Sequence, residues 1–155
     1  MEHACYVSRQ AGAYLKAVWM IDGEIVSERI VTKDGLEAMA MILAMKWTLN
    51  SWKIQIGSDA SPADITDDKI YDKKLEYTPT VSVEVDPYYS RIVFVVTVSA
   101  SDLSGVTVGE LGLVANVTLE DGATSQDILV DRTQYGPETF DSDKTFTCIL
   151  EFRRW

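Results

Sequence analysis

Apolar and polar positions between residues 14 and 32 fall into two short runs, Tyr14 to Ile21 and Glu24 to Thr32, rich in β-branched and aromatic side chains. Asp22-Gly23 between them suits a type I′ turn, in which both central residues take positive φ, so the segment predicts a β-hairpin. Then the period changes. Leu36, Met39, Ala40, Leu43 and Trp47 fall at i, i+3, i+4, i+7 and i+11, one face of a helical repeat, and predict a helix over about residues 33–47. Thr32 offers a hydroxyl to the free amides of its first turn, and Gly35 lies in that turn, where glycine is less costly than in mid-helix.

A short strand, Trp52 to Ile56, is expected next. It is followed by a polar stretch from Gly57 to Thr78 that carries Asp59, Asp64, Asp67, Asp68 and Asp72. A structureless segment of that length is unusual inside a compact domain and marks a functional or mobile loop. From Thr80 to Val85 the chain alternates Val81, Val83 and Val85 with Ser82 and Glu84, the pattern of a half-buried strand. Pro87-Tyr88-Tyr89-Ser90 makes a turn, and Ile92 to Val98 is almost wholly apolar, as in a central strand covered on both faces.

Thr107 to Val114 contains Glu110-Leu111-Gly112-Leu113, and Ile128 to Arg132 follows beyond a loop at Asp121-Gly122. In the last strand Phe146, Cys148, Leu150 and Phe152 alternate with Thr145, Thr147 and Glu151. That places Cys148 on the buried face as a small hydrophobe. Seven or eight strands, one helix and no repeated βαβ unit predict a mainly β, α+β fold: an antiparallel β-sandwich with one packed helix. Residues 1–155 read as a single domain, with 1–32 as an arm and hairpin and 33–155 as helix plus sandwich.

Hydrophobic content of 46% with 25% charged residues fits a soluble globular protein. No apolar run approaches the roughly 20 residues that span a bilayer, so no membrane partner is expected. Glu2 follows Met1 and no basic-then-apolar region comes after it, which argues against a secretory signal. Charge changes the picture more. Residues 1–56 hold six acids and six bases, whereas the remaining 99 hold 18 acids and 8 bases, the whole of the net charge of −10. Such a surface repels phosphate, so nucleic acid is not expected as a partner. It suits solubility, or docking of a basic partner or divalent cations.

Catalytic chemistry finds little support. His3 is the only histidine, close to the N-terminus, so a Ser-His or Cys-His pair would have to be built on that end of the chain. Cys5 and Cys148 have no histidine or cysteine at zinc-ligand spacing. No phosphate-cradling glycine–lysine run is present, and Gly57, Gly105 and Gly109 read as turn or bulge residues. Asp64, Asp67, Asp68 and Asp72, or Glu120, Asp121 and Asp127, could offer oxygens to calcium, but without the alternate spacing of a calcium loop. Turn formation by aspartate accounts for most of them. No cofactor, metal or catalytic residue is expected.

Glu110 is a separate case. It interrupts a strand otherwise built for burial, and a carboxylate there needs partners. A catalytic acid would require a second carboxylate nearby. The structural alternative is a carboxylate that accepts backbone amides or pairs with a base such as Arg132.

Several short motifs occur in a particular order: the Gly35-Leu36 helix from Thr32 to Trp47, Ile56-Gly57, the strands Val81 to Val98, Glu110-Leu111-Gly112-Leu113, Asp131-Arg132, Lys144, and the closing strand Phe146 to Phe152. Over roughly residues 30–153 this order resembles the N-terminal attachment domain of bacteriophage tail-fibre and baseplate proteins. It departs from that family in its aspartate-rich Ser58 to Asp72 segment, and in stopping at Trp155 where a fibre would run on into a shaft.

The resemblance implies a non-enzymatic virion protein of the tail, assembled in the host cytoplasm, that joins fibres or other appendages to the baseplate. Its partners would be other tail, baseplate or fibre proteins, with a homo-oligomeric copy number following tail symmetry. Expected interface residues are the aromatics Trp52, Tyr71, Tyr88, Tyr89, Tyr135 and Trp155, together with Arg153 and Arg154. A capsid decoration or head–tail connector protein and a carbohydrate-binding sandwich are the alternatives.

Overall fold

The computed structural model describes residues 14–153; His3, Cys5, Arg154, Trp155 and the side chain of Arg153 lie outside the described residues. The expected hairpin is present. β1 (Tyr14–Ile21) and β2 (Glu24–Ile30) pair antiparallel, and Asp22 and Gly23 both take positive φ, 50° and 84°. The chain then forms helix α1 (Lys33–Leu43), β3 (Thr48–Gly57), β4 (Lys73–Tyr77), β5 (Thr80–Val85) and β6 (Tyr89–Val98). A one-turn helix α2 (Ala100–Leu103) leads to β7 (Thr107–Thr118), β8 (Ser125–Thr139) and β9 (Lys144–Arg153).

These strands build two antiparallel sheets, one ordered β2-β1-β9-β6-β5 and the other β4-β3-β7-β8. They pack face to face as a β-sandwich. Between them lie Trp19, Ile54, Phe94, Leu111, Phe146 and Leu150, all fully buried, with the Cys148 thiol in their midst. The Trp52 ring lies 4.7 Å from that of Phe94 across the two sheets. This makes Trp52 a core contact on a strand, not an exposed loop aromatic.

Thr32 caps α1 as expected, accepting a hydrogen bond from the Gly35 N–H at 2.9 Å. The helix nevertheless ends at Leu43 rather than Trp47. Met45 adopts a left-handed φ of 62° and the Lys46 N–H reaches back to the Met41 carbonyl, a Schellman-type stop. The buried face also differs from the predicted one. Gly35, Ala38, Met39 and Ile42 turn inward, whereas Leu36 is 58% and Leu43 80% exposed.

The reason is the closeness of α1 to β8. A Cβ added at Gly35 would stand 2.6 Å from the Val130 carbonyl oxygen, so only a residue without a side chain fits there. Gly35→Val is therefore expected to lower stability by about 1–3 kcal/mol, and Leu36→Ala to change it by no more than about 0.5 kcal/mol. Thermal denaturation of the two variants checks the orientation of the helix; equal losses would contradict it.

Three further expectations need correction. The 57–78 stretch is not wholly irregular, because Lys73–Tyr77 forms edge strand β4 on β3. β6 is fully covered on one face only: Phe94, Val96 and Val98 are buried, Val93 and Val95 are half-buried, and Thr97 is exposed. Finally, β5 is exposed along its whole length instead of half-buried. It is the outermost strand of the wider sheet, and the four-stranded sheet does not extend across it.

Candidate functional site

Two irregularities in the β7–β8 ladder set up the most elaborate polar cluster among the described residues. Pairing jumps from Val108↔Glu138 to Glu110↔Gln134, and again from Leu113↔Asp131 to Val114↔Leu129. Bulges of this kind re-aim side chains relative to a strict alternation. Glu110 and Arg132 thereby face away from the core, Leu111 and Leu113 face into it, and Asp131 turns inward beside Arg132 turning outward.

Facing away does not make Glu110 and Arg132 exposed. Residues 58–72 fold back over them, leaving Glu110 at 0% and Arg132 at 1% exposure. Each Glu110 carboxylate oxygen accepts two hydrogen bonds. Oε1 receives the Tyr71 N–H at 2.9 Å and Arg132 Nε at 2.8 Å. Oε2 receives the N–H groups of Asp59 at 3.0 Å and Asp72 at 2.8 Å. Both ends of the loop are thus tied to one carboxylate, which carries both sequence expectations for Glu110 at once.

Arg132 fastens the middle of the loop. Its terminal nitrogens donate to the carbonyls of Asp59 and Ser61 at 3.1 and 3.3 Å, and Nη1 lies 3.3 Å from the buried carboxylate of Asp67. The Tyr71 ring covers the guanidinium at 4.2 Å while its hydroxyl donates to Asp67. That hydrogen bond pushes the Tyr71 phenol above its ordinary value. Tyr71 is 45% exposed, and its ring is engaged on one face.

Glycines make this closeness possible. An added Cβ at Gly57 would meet Glu110 Oε2 at 2.5 Å, and one at Gly109 would meet the Ser58 carbonyl oxygen at 2.7 Å. At Gly112 the space is filled by Ile70, which joins Val114 and Leu129 in a small second core beneath the loop. Beside it a cleft of about 240 Å³ opens between Gln55, Lys69, Lys73 and Asp127.

The remaining acids of the loop mostly serve its own turns. Asp59 accepts the Ser61 N–H and Asp64 accepts the Thr66 N–H, each at 2.8 Å. The Ser61 hydroxyl together with its N–H, and the Thr66 N–H together with its hydroxyl, hold the Asp59 and Asp64 carboxyls below the usual range. In the other acidic stretch Asp121 does the same for Ala123 and Thr124. Among the described residues no cluster of three or more acids, histidines or cysteines has the geometry of a metal site.

Ile56, Gly57, Glu110, Leu111, Gly112, Leu113 and Arg132 of the sequence motif therefore come together in and under the clasp. Gly35 and Leu36 lie on α1. Lys144 lies elsewhere, 3.2 Å from Asp22 at the turn of the hairpin. Of the expected interface aromatics, Tyr88 is 68% exposed. Tyr89 lies under Arg91 at 3.9 Å, and Tyr135 packs against the core beside Phe140. Tyr135 is thus part of the sandwich wall, not a free anchor.

One buried group escaped sequence reasoning. Asp131 on β8 accepts the indole N–H of Trp19 on β1 at 2.8 Å, a hydrogen bond between the two sheets. Its other oxygen, Oδ1, is buried with no hydrogen-bond partner of good geometry among the described residues. Burial pushes this carboxyl up to about 7, against the opposing pull of the Trp19 hydrogen bond and of Arg29. Its only signal in the sequence is an acid directly after Ile128-Leu129-Val130.

No protein family, no curated protein and no solved structure matches the chain.

Proposed function

We propose that this protein is a structural subunit of a tailed bacteriophage, an adaptor in the tail or baseplate that attaches fibres or other appendages. One observation carries the assembly part of this reading. The buried Glu110–Arg132 pair directs its hydrogen bonds at the backbone and one carboxylate of the 58–72 loop, which holds an acidic segment in fixed shape on the outside of a sandwich. A charged site so committed to positioning a surface segment suits docking better than turnover of a substrate. The loop carries five acids and one base, and presents Asp68, Asp72 and Lys69 to solvent beside Tyr71 and Ile65. That chemistry fits a basic partner.

The phage part rests on the order of the motifs. A low-resolution map of the intact particle, with this subunit tagged, tests the reading. Density at the baseplate or fibre base in a copy number of tail symmetry is the expected outcome. Hundreds of copies on the head would make it a decoration protein, and selective binding on a glycan array would make it a carbohydrate module. Either result would replace the adaptor reading.

A further inference from the structure

The two sheets differ in width, and the difference falls at β5. Its pairing to β6 runs without a bulge from Thr80↔Val95 to Val85↔Ser90, and among the described residues no strand pairs with its other side. Val81 and Val83 lie opposite Phe94 and Ile92, so Val81, Val83 and Val85 belong to the inner face of the sheet. They are nonetheless 48%, 67% and 73% exposed, and Phe152, next to Tyr88 in a shallow pocket, extends the same apolar shelf.

Natural sheets guard their edges with charges, bulges or covering elements. β8 is covered by α1 and meets β2 through Thr133 and Ser27, while β4 carries Lys73 and Glu76 joined in an ion pair. β5 has no such guard beyond Glu84, which points to the other face and pairs with Arg91 at 3.6 Å. The backbone adds to this. Asp86 donates to the Tyr89 carbonyl across the hairpin at 3.0 Å. In an antiparallel ladder that phase turns the amides and carbonyls of Thr80, Ser82 and Glu84 toward β6, and those of Val81, Val83 and Val85 outward. Free hydrogen-bonding groups and exposed valines belong to the same three residues.

We propose that β5 is a dimerisation edge: it pairs antiparallel with β5 of a second copy of this chain, about a twofold axis at Val83, and joins two five-stranded sheets into one. The strand is complementary to itself in this register. Val83 faces its counterpart and Val81 faces Val85 of the other copy. Glu84 then faces Ser82 and Asp86 faces Thr80, so each carboxylate meets a hydroxyl donor. A two-residue shift one way would set Glu84 against Glu84, like charges directly opposed. The opposite shift would place Pro79, which lacks an N–H, at a ladder position facing Val85. Both neighbouring registers are penalised by the sequence itself.

The inference stands apart from the phage reading, since a dimer in solution and a location in a particle are measured separately. Size-exclusion chromatography with light scattering on the full chain should find a dimer at micromolar concentration. Added salt should tighten it, because each copy carries a net charge of −10 and screening relieves their repulsion. Val83→Lys should give a monomer with unchanged circular dichroism and a melting temperature that no longer rises with protein concentration. In a Cys5→Ser background, a mixture of Ser82→Cys and Glu84→Cys proteins should form a disulfide-linked heterodimer, while neither protein alone does. A wild-type chain that stays monomeric, or a Val83→Lys chain that still dimerises, overturns the proposal. So does a wild-type dimer whose mixed cysteine variants fail to cross-link.

Discussion

Arg132→Met is expected to destabilise the protein by about 3–5 kcal/mol, because it strands the Glu110 carboxylate in a buried site without its counter-charge. Methionine keeps much of the volume, so the loss reports charge more than a cavity. The effect should be concentrated in one place. Amide hydrogen exchange at Asp59, Tyr71 and Asp72, whose N–H groups bind Glu110, should accelerate together, while the β1–β9 ladder keeps its protection. Glu110→Gln keeps a carbonyl acceptor and should lose less, about 1–3 kcal/mol. Chemical denaturation of both single variants and of the double variant gives the coupling between them. If Arg132→Met melts like the parent and these three amides stay protected, the pair does not hold the loop.

Asp131→Asn should make the protein more stable than its parent in mildly alkaline solution and should flatten its pH dependence. The folded carboxyl lies at about 7 against an ordinary value of 3.8, so the folded state binds the proton more tightly than the unfolded chain. Stability from this group is therefore present below about pH 4, declines as pH rises between these two values, and is fully lost above about pH 7. The span corresponds to an upper bound on the order of 4 kcal/mol. Asparagine is neutral throughout and still accepts the Trp19 hydrogen bond. Asp22, Asp59, Asp64 and Asp121, all held below the ordinary value, act in the opposite direction in acid. The informative quantity is thus the difference between variant and parent, measured by urea denaturation from pH 4 to pH 9. Parallel curves would mean that Asp131 does not titrate in this window.

Local signals were legible in the sequence and relations between surfaces were not. Asp22-Gly23, the Thr32 cap, the inward Cys148 and the partnership of Glu110 with Arg132 each follow from a residue type placed where only one conformation or one kind of partner suits it. The helix face was misread because Gly35 and Ala38 are buried through close approach of backbones. Neither carries a hydrophobic signal, while Leu36 and Leu43 carry a strong one and face solvent. β5 failed for a related reason. Alternation identifies the apolar side of a strand, not whether a second sheet extends over it. β4 was hidden because a five-residue strand with two lysines and a glutamate has little apolar periodicity. The bulges at Gly109 and Val130 break the parity that a strict alternation assumes, so Val130 and Asp131 both turn inward and Arg132 outward without any local warning. What the loop does could not be read at all, since its fastening depends on amides and carbonyls that every sequence possesses.

That last point has a consequence for how this surface can change. Glu110 grips the loop through three backbone N–H groups, and Arg132 through backbone carbonyls; of the side chains in the segment, Asp67, with Tyr71 over the guanidinium, is most tightly bound into the lock. The positions between the anchor points, such as Ile65, Asp68 and Lys69, are held in place by neighbours indifferent to their identity. The arrangement works as a socket with a replaceable face. A new set of side chains on those positions would be displayed in the same geometry, so that, on the docking role proposed above, partner choice could be rewritten without rebuilding the sandwich that carries it.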